Sequence, residues 1–198
     1  MKYFICSDLH GSASACQKVI ENFYNLNCDK ILLLGDVLYH GPRNDLPAGY
    51  APKKVIELLN PLAQAITACR GNCDAEVDQM VLNFDVSRDY FYFTEDKLQI
   101  FGSHGHIYAP LLANDKLPAG CESASKNAIP FPVVNQAFFL YGHTHVPVLE
   151  KNPMGYVVCN PGSTSIPKGG SEPGFAILEN HKISLHNLQG QVLKELEF

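Results

Sequence analysis

The sequence predicts an α/β fold, because five short apolar runs each end in a polar, glycine-containing turn, a helix-spaced segment separates the first two runs, and the chain closes on short alternating segments. The runs are Tyr3 to Cys6, Ile31 to Leu34, Ala65 to Cys69, Leu98 to Phe101 and Ala137 to Tyr141, each of strand length. Between the first two, Cys16, Val19, Ile20, Phe23 and Leu26 recur at helical spacing over Ser12 to Leu26, and Ser12 or Ser14 supplies an N-cap. Strand, helix, strand is therefore the opening unit.

A second helix is expected from Pro52, which suits a first helical turn, to the neighbourhood of Pro61, and a short third one near Asp74. Tyr156 to Cys159 is strand-like. Phe175 to Leu178, Lys182 to Leu188 and Val192 to Leu196 read as an antiparallel meander within the same domain, so that residues 1–198 form one unit. Tyr90, Phe91 and Phe93 are apolar enough for a strand or for a contact between copies in a homo-oligomer. The loops Leu38 to Tyr50 and Pro110 to Pro132 are rich in turn residues and are candidates for substrate-binding segments or plain surface connections.

Bulk properties narrow the function. With 46% hydrophobic and 18% charged residues, 198 residues suffice for one good core. The N-terminus turns polar after four apolar residues, and no run reaches membrane-spanning length, so a cytoplasmic protein is expected. Seven cysteines, odd in number and without a Cys-x-x-Cys pair, fit a reduced compartment and no structural zinc site. A net charge of −5 with no basic run argues against long nucleic acid as partner. An anionic substrate would need another source of attraction, such as metal ions.

The chemistry lies in the turns that follow the strands. In chain order they carry Asp8-Leu9-His10, Gly35-Asp36, Gly71-Asn72, Ser103-His104-Gly105 and Gly142-His143-Thr144-His145. In an open α/β sheet the C-terminal ends of parallel strands share one edge, where ligands bind. That edge gathers Asp8, His10, Asp36, Asn72, His104, His143 and His145. Mixed carboxylate, imidazole and amide ligands suit first-row divalent ions, whereas Mg and Ca favour oxygen alone.

These motifs resemble the signature of calcineurin-like metallophosphoesterases over residues 3 to about 165. Gly35 through Asn44, Arg70-Gly71-Asn72-Cys73-Asp74 and Asn160-Pro161-Gly162-Ser163 resemble more narrowly the YfcE branch of that superfamily. The resemblance implies a four-layer α-β-β-α sandwich of two mixed sheets flanked by helices. It implies two divalent metal ions, Mn first, with Zn, Fe, Co or Ni as alternatives. One ion would be held by Asp8, His10 and His145, the other by Asn72, His104 and His143, with Asp36 bridging. The implied activity is hydrolysis of small phosphodiesters by a metal-bridging hydroxide, with Asp36 and Asn72 at the catalytic centre.

One position departs from the wider superfamily, where a histidine thought to assist the leaving group follows the asparagine. Here it is Cys73, as in the YfcE branch, and a thiol is a poor acid at neutral pH. Esters with good leaving groups are then favoured. His106 and His40 are the candidates for a replacement acid, the alternatives being a supporting hydrogen bond and a solvated loop side chain. Arg43 is placed with His40 and Cys73 at the substrate, against an exposed loop arginine. The Asn160 to Ser163 turn is either near the metals or purely structural, and Lys168-Gly169-Gly170 either meets phosphate or closes a hairpin. His181 and His186 are expected on the surface.

The rival reading is a non-catalytic scaffold of the same fold, as in the retromer subunit Vps29. All seven ligand positions are kept, which favours the enzyme. A metallo-β-lactamase-type site would need His-x-His-x-Asp-His, which is missing.

Overall fold

In the computed structural model of the chain, residues 1–95, 97–124 and 137–198 are described. Part of the second loop expected to approach substrate, 125–132, lies outside them.

The apolar runs form two mixed sheets, as the resemblance implies. The first takes β1 (Tyr3–Cys6), β2 (Lys30–Leu33), β3 (Ile66–Ala68), β9 (Gly174–Glu179), β10 (Lys182–Asn187) and β11 (Val192–Glu197), in the spatial order β11-β10-β9-β1-β2-β3. The second takes β4 (Tyr90–Glu95), β5 (Leu98–Ser103), β6 (Ala137–Leu140), β7 (Val148–Lys151) and β8 (Val157–Asn160), in the order β4-β5-β6-β8-β7. β1, β2 and β3 pair in parallel, as do β5, β6 and β8, and the closing meander pairs antiparallel onto β1 through β9.

Successive strand side chains point to opposite faces, so a strand buried on both faces has no polar alternation to show. In β1, Phe4 and Cys6 enter the layer under the helices while Tyr3 and Ile5 enter the layer between the sheets. In β6, Phe138 and Leu140 face between the sheets, and Ala137 and Phe139 face the outer layer. Full burial of each large apolar side chain is worth about 1.5–3 kcal/mol, so continuous apolar runs dictate central strands.

Helix α1 (Ala13–Asn25) begins at Ser12, whose hydroxyl accepts from the Ala15 amide, and it buries Cys16, Val19 and Phe23 on the first sheet. Helix α2 (Pro52–Leu59) starts on its proline and continues into a 3₁₀ turn, Asn60–Ala65, so the segment runs past Pro61. The short helix α3 spans Glu76–Gln79. Among the described residues, the outer layer of the second sheet is filled by Ala109, Cys121 and Ala124 from the turn-rich segment after β5, together with Tyr156. No helix of the described residues is long and apolar enough to cross a membrane.

The aromatic trio takes the strand alternative, in edge strand β4, where Phe91 is buried and Tyr90 and Tyr92 stand exposed. One local expectation changes. His186 is buried rather than on the surface: its register partner in the meander is Phe175, and the two rings stack at 5.0 Å with 7° between their planes.

Candidate metal centre

The five ligand-bearing turns leave the C-terminal ends of β1, β2 and β3 in one sheet and of β5 and β6 in the other. The two sheets thus present their loops to a common edge, tied by backbone hydrogen bonds. The Asp8 amide donates to the Gly35 carbonyl at 3.1 Å, the His10 amide to the Asp36 carbonyl at 2.9 Å, and the Gly142 amide to the His104 carbonyl at 2.9 Å. Across the sheets the His143 amide donates to Asp8 Oδ2 at 3.1 Å. The loops approach so closely that a Cβ on Gly35 (φ +88°) would lie 2.5 Å from the Gly71 amide nitrogen.

Backbone strain concentrates here. Ten non-glycine residues among those described have positive φ, and five are Asp8 (57°), His10 (46°), Asp36 (55°), His143 (66°) and His145 (60°). A left-handed non-glycine residue costs on the order of 1 kcal/mol or more, and such residues persist where the surroundings over-determine them. Here each turn throws its side chain back toward the shared edge.

The imidazoles are oriented from behind. His10 Nδ1 donates to the Tyr39 carbonyl at 2.8 Å, His104 Nδ1 to the Leu34 carbonyl at 2.7 Å, and His145 Nδ1 to the Ile166 carbonyl at 2.5 Å. A carbonyl oxygen only accepts, so these Nδ1 atoms each carry a proton, and each Nε2 is left pointing forward, the atom that would ligate a metal. His10 Nε2 and His145 Nε2 lie 3.2 Å apart, and each faces Asp8 Oδ1, at 3.5 and 3.2 Å. His104 Nε2 lies 3.3 Å from Asp36 Oδ2 and 3.1 Å from Asn72 Oδ1.

Three such atoms facing one another at this range need a proton or a metal ion among them. Tetrahedral ligands at about 2.1 Å from a metal stand roughly 3.4 Å apart, which matches the Asp8, His10 and His145 spacing. Asp8 Oδ1 is also buried without a hydrogen-bond partner. The residues therefore fit a divalent ion. Two carbonyl-anchored triads stand out, Asp8-His10-His145 and Asp8-Asp36-His104, together with a third grouping of His10, Asp36 and Cys73. His143 is drawn to the same edge, its ring centroid 5.1 Å from that of His104.

The field in the site favours positive charge. Burial alone would lower His104, but the carboxylates of Asp36 and Asp8 outweigh it and raise it to about 10. Burial likewise opposes and Asp8 and Asp36 overcome it for His10, which is raised. Asp8, which burial alone would raise, is held well below the usual range by the imidazoles of His10 and His145 and by His104.

The remaining expected site residues divide. Arg43, Cys73 and Lys168 line the cleft in front of the cluster, with Gly41, Pro42 and Asn44 from the long loop. The Cys73 thiol is pushed by burial, and by Asp36 beside it, up to about 12, so it stays protonated at neutral pH. His106 packs beside His104, at 5.3 Å between ring centroids, outside the cleft lining; burial and the charges of His104 and His143 lower it to about 4. His40 packs edge-on against Tyr39 and Tyr50 rather than standing in solvent.

One supporting group escaped the sequence, and one of the turns it left open is placed. Asp74 is buried, and its carboxylate accepts from the amides of Asp36 at 2.8 Å, Val37 at 2.8 Å and Gly71 at 2.7 Å, binding two ligand turns together. Its signal was a carboxylate inside the same turn as Asn72. Ser163 and Ser165 both donate to the Asp8 carbonyl at 2.8 Å, and Ile166 anchors His145, so the Asn160 turn is linked to the metal centre and is more than a connection.

A family model described as the calcineurin-like phosphoesterase superfamily domain matches residues 1–182. The chain belongs to that superfamily. Phosphodiesterase YfcE of Escherichia coli K12 is 42% identical over 192 residues, covering 96% of this chain and 94% of that protein. The structure of YfcE, a phosphoesterase from E. coli, superposes with a TM-score of 0.86 at 39% identity, covering 100% of this chain and 99% of that one. Vps29 of Entamoeba histolytica in complex with zinc gives a TM-score of 0.61 at 16% identity over 100% of this chain and 99% of its own, a likeness of fold alone. Family, fold and ligand cluster together make this calcineurin-like chain a metal-dependent phosphoric ester hydrolase, and the scaffold alternative is not favoured.

Proposed function

We propose that the chain hydrolyses small phosphodiesters at a centre of two divalent metal ions. Asp8, His10 and His145 would hold one ion, Asn72, His104 and His143 the other, and Asp36 would contribute to both. The observation that carries this is the convergence of the Nε2 atoms of His10 and His145 with Asp8 Oδ1, within 3.2–3.5 Å, while each ring's other nitrogen is committed to a carbonyl. The likeness to Phosphodiesterase YfcE supports diesters as the substrate class.

Two divalent ions supply Lewis acidity toward a phosphoryl oxygen and a hydroxide nucleophile at neutral pH. This chain's residues do the rest. Arg43 and Lys168, on the cleft wall, are positioned to meet non-bridging phosphate oxygens, the arginine through its planar guanidinium. Asp36 is fixed by the Cys73 amide, which donates to Oδ1 at 2.8 Å and leaves Oδ2 free to face His104. Cys73, protonated and weakly acidic, occupies the cleft without helping a poor leaving group. Diesters with good leaving groups follow. His106, its ring 5.3 Å from that of His104 and outside the cleft lining, stays the candidate for supplying a proton. Mn is the first choice of ion, and the N- and O-donor set also suits Zn, Fe, Co or Ni.

Metal-stripped protein should be inactive on an aryl phosphodiester and its matching monoester, and regain activity, greater on the diester, when Mn, Zn or Mg is added back singly. Stoichiometric metal binding without turnover on either ester would reverse the reading in favour of a scaffold.

A further inference from the structure

Beside the polar cleft runs an apolar groove of about 400 Å³, lined by Tyr39, Tyr50, Pro52, Ile56, Val77 and Val81. Cys73 lines both spaces, so the two adjoin at this side chain. Two residues of the groove are fastened to the candidate metal centre: the Tyr39 carbonyl accepts from His10 Nδ1, and the Cys73 amide donates to Asp36 Oδ1.

The groove offers little to a charged group. Its one carboxylate, Asp78, is buried and accepts from the Ala75 amide at 2.9 Å, and its one amine, Lys53, lies at the exposed rim. Apolar surface is nevertheless left open, with Val77 at 59%, Tyr39 at 42% and Val81 at 41% exposure. Apolar surface rimmed by polar groups and joined to a site marks a place where a ligand is buried.

A phosphodiester carries organic groups that free phosphate does not, and the cleft lined by His10, Asp36, Arg43, Asn72 and Lys168 is mainly polar, with Pro42 and Cys73 its only larger apolar side chains. We propose that the groove holds one organic group of the diester, and that this group is aromatic or otherwise apolar, stacking on Tyr39 and Tyr50. This inference rests on the phosphodiesterase reading and adds the substrate class.

The test uses metal-loaded protein with bis(p-nitrophenyl) phosphate, which offers an aryl group in either orientation, and inorganic phosphate as a competitive inhibitor that has none. V77E places a charge in the groove wall; M80E adds the same charge to a residue 82% exposed and outside the lining. V77E should raise KM about tenfold with kcat within twofold and the phosphate inhibition constant unchanged, and M80E should alter none of these. An unchanged KM in V77E, or equal rises in both variants accompanied by weaker phosphate inhibition, would overturn the groove assignment while leaving the phosphodiesterase reading intact. Lack of metal-dependent turnover by the unmutated protein would overturn both.

Discussion

His10 and His145 point their Nε2 atoms at each other across 3.2 Å, each ring locked from behind by a backbone carbonyl, Tyr39 for one and Ile166 for the other. Neither ring can turn away without losing its anchoring hydrogen bond. The pair is therefore built around a cation, and binding of that cation stabilises the fold by mass action. Stripping metal with a chelator should lower the melting temperature, and Mn or Zn at about a hundred times its Kd should restore about 2.7 kcal/mol. Differential scanning calorimetry at several metal concentrations checks this; a midpoint that ignores both chelator and metal would mean that the cluster does not bind an ion in the folded state.

The same cleft is lined by Cys73, which directly follows Asn72. The thiol is protonated, and its sulfur accepts from Asn72 Nδ2 at 3.2 Å. C73H should raise kcat/KM for an aryl phosphomonoester by about tenfold or more, within the usual range for added acid catalysis, and it should bring a new pH dependence near neutrality. An unaltered rate and pH profile would indicate that the leaving group needs no proton from this position.

Much of this site was legible in the sequence because apolar strands and polar turns alternate so sharply. β1 and the start of α1 sit where the pattern puts them, and Asp8, His10, Asp36, Asn72, His104, His143 and His145 do meet at strand ends. What periodicity does not encode is long-range pairing. The split into two sheets depends on which strands cross over, and β7 is only partly apolar, so Val148–Lys151 gave no signal. His186 looked like a surface residue because its burial comes from Phe175, a register partner in the neighbouring strand.

Asp74 shows the same limit at the site itself, and it carries a prediction of its own. Its two oxygens accept three backbone amides from the Asp36 and Gly71 turns, and burial with Asp36 nearby raises it to about 6. D74N replaces an acceptor oxygen with a donor and leaves at least one buried amide unsatisfied, a loss of about 1–3 kcal/mol. Metal affinity should fall about 10- to 100-fold, as when groups that orient ligands are removed, while D74E should recover part of it. Titration calorimetry with Mn gives the affinity directly, and an affinity equal to the unmutated protein would show that the ligand turns hold themselves.

His186 gives a pH effect far from the metal centre. Burial lowers its pKa, Ser184 Oγ lies 2.8 Å from Nε2, and the ring stacks on Phe175. The folded state thus favours the neutral ring, and below the unfolded value of about 6.5 the unfolded chain binds a proton that the folded chain resists. Stability from this residue is full above that pH and is lost as pH falls toward the lowered folded value. The melting temperature of H186F should accordingly drop less between pH 7 and pH 5 than that of the unmutated protein, both being measured metal-free so that ligand protonation is common to the two. Parallel profiles would show that the buried ring takes up its proton as readily when folded as when unfolded.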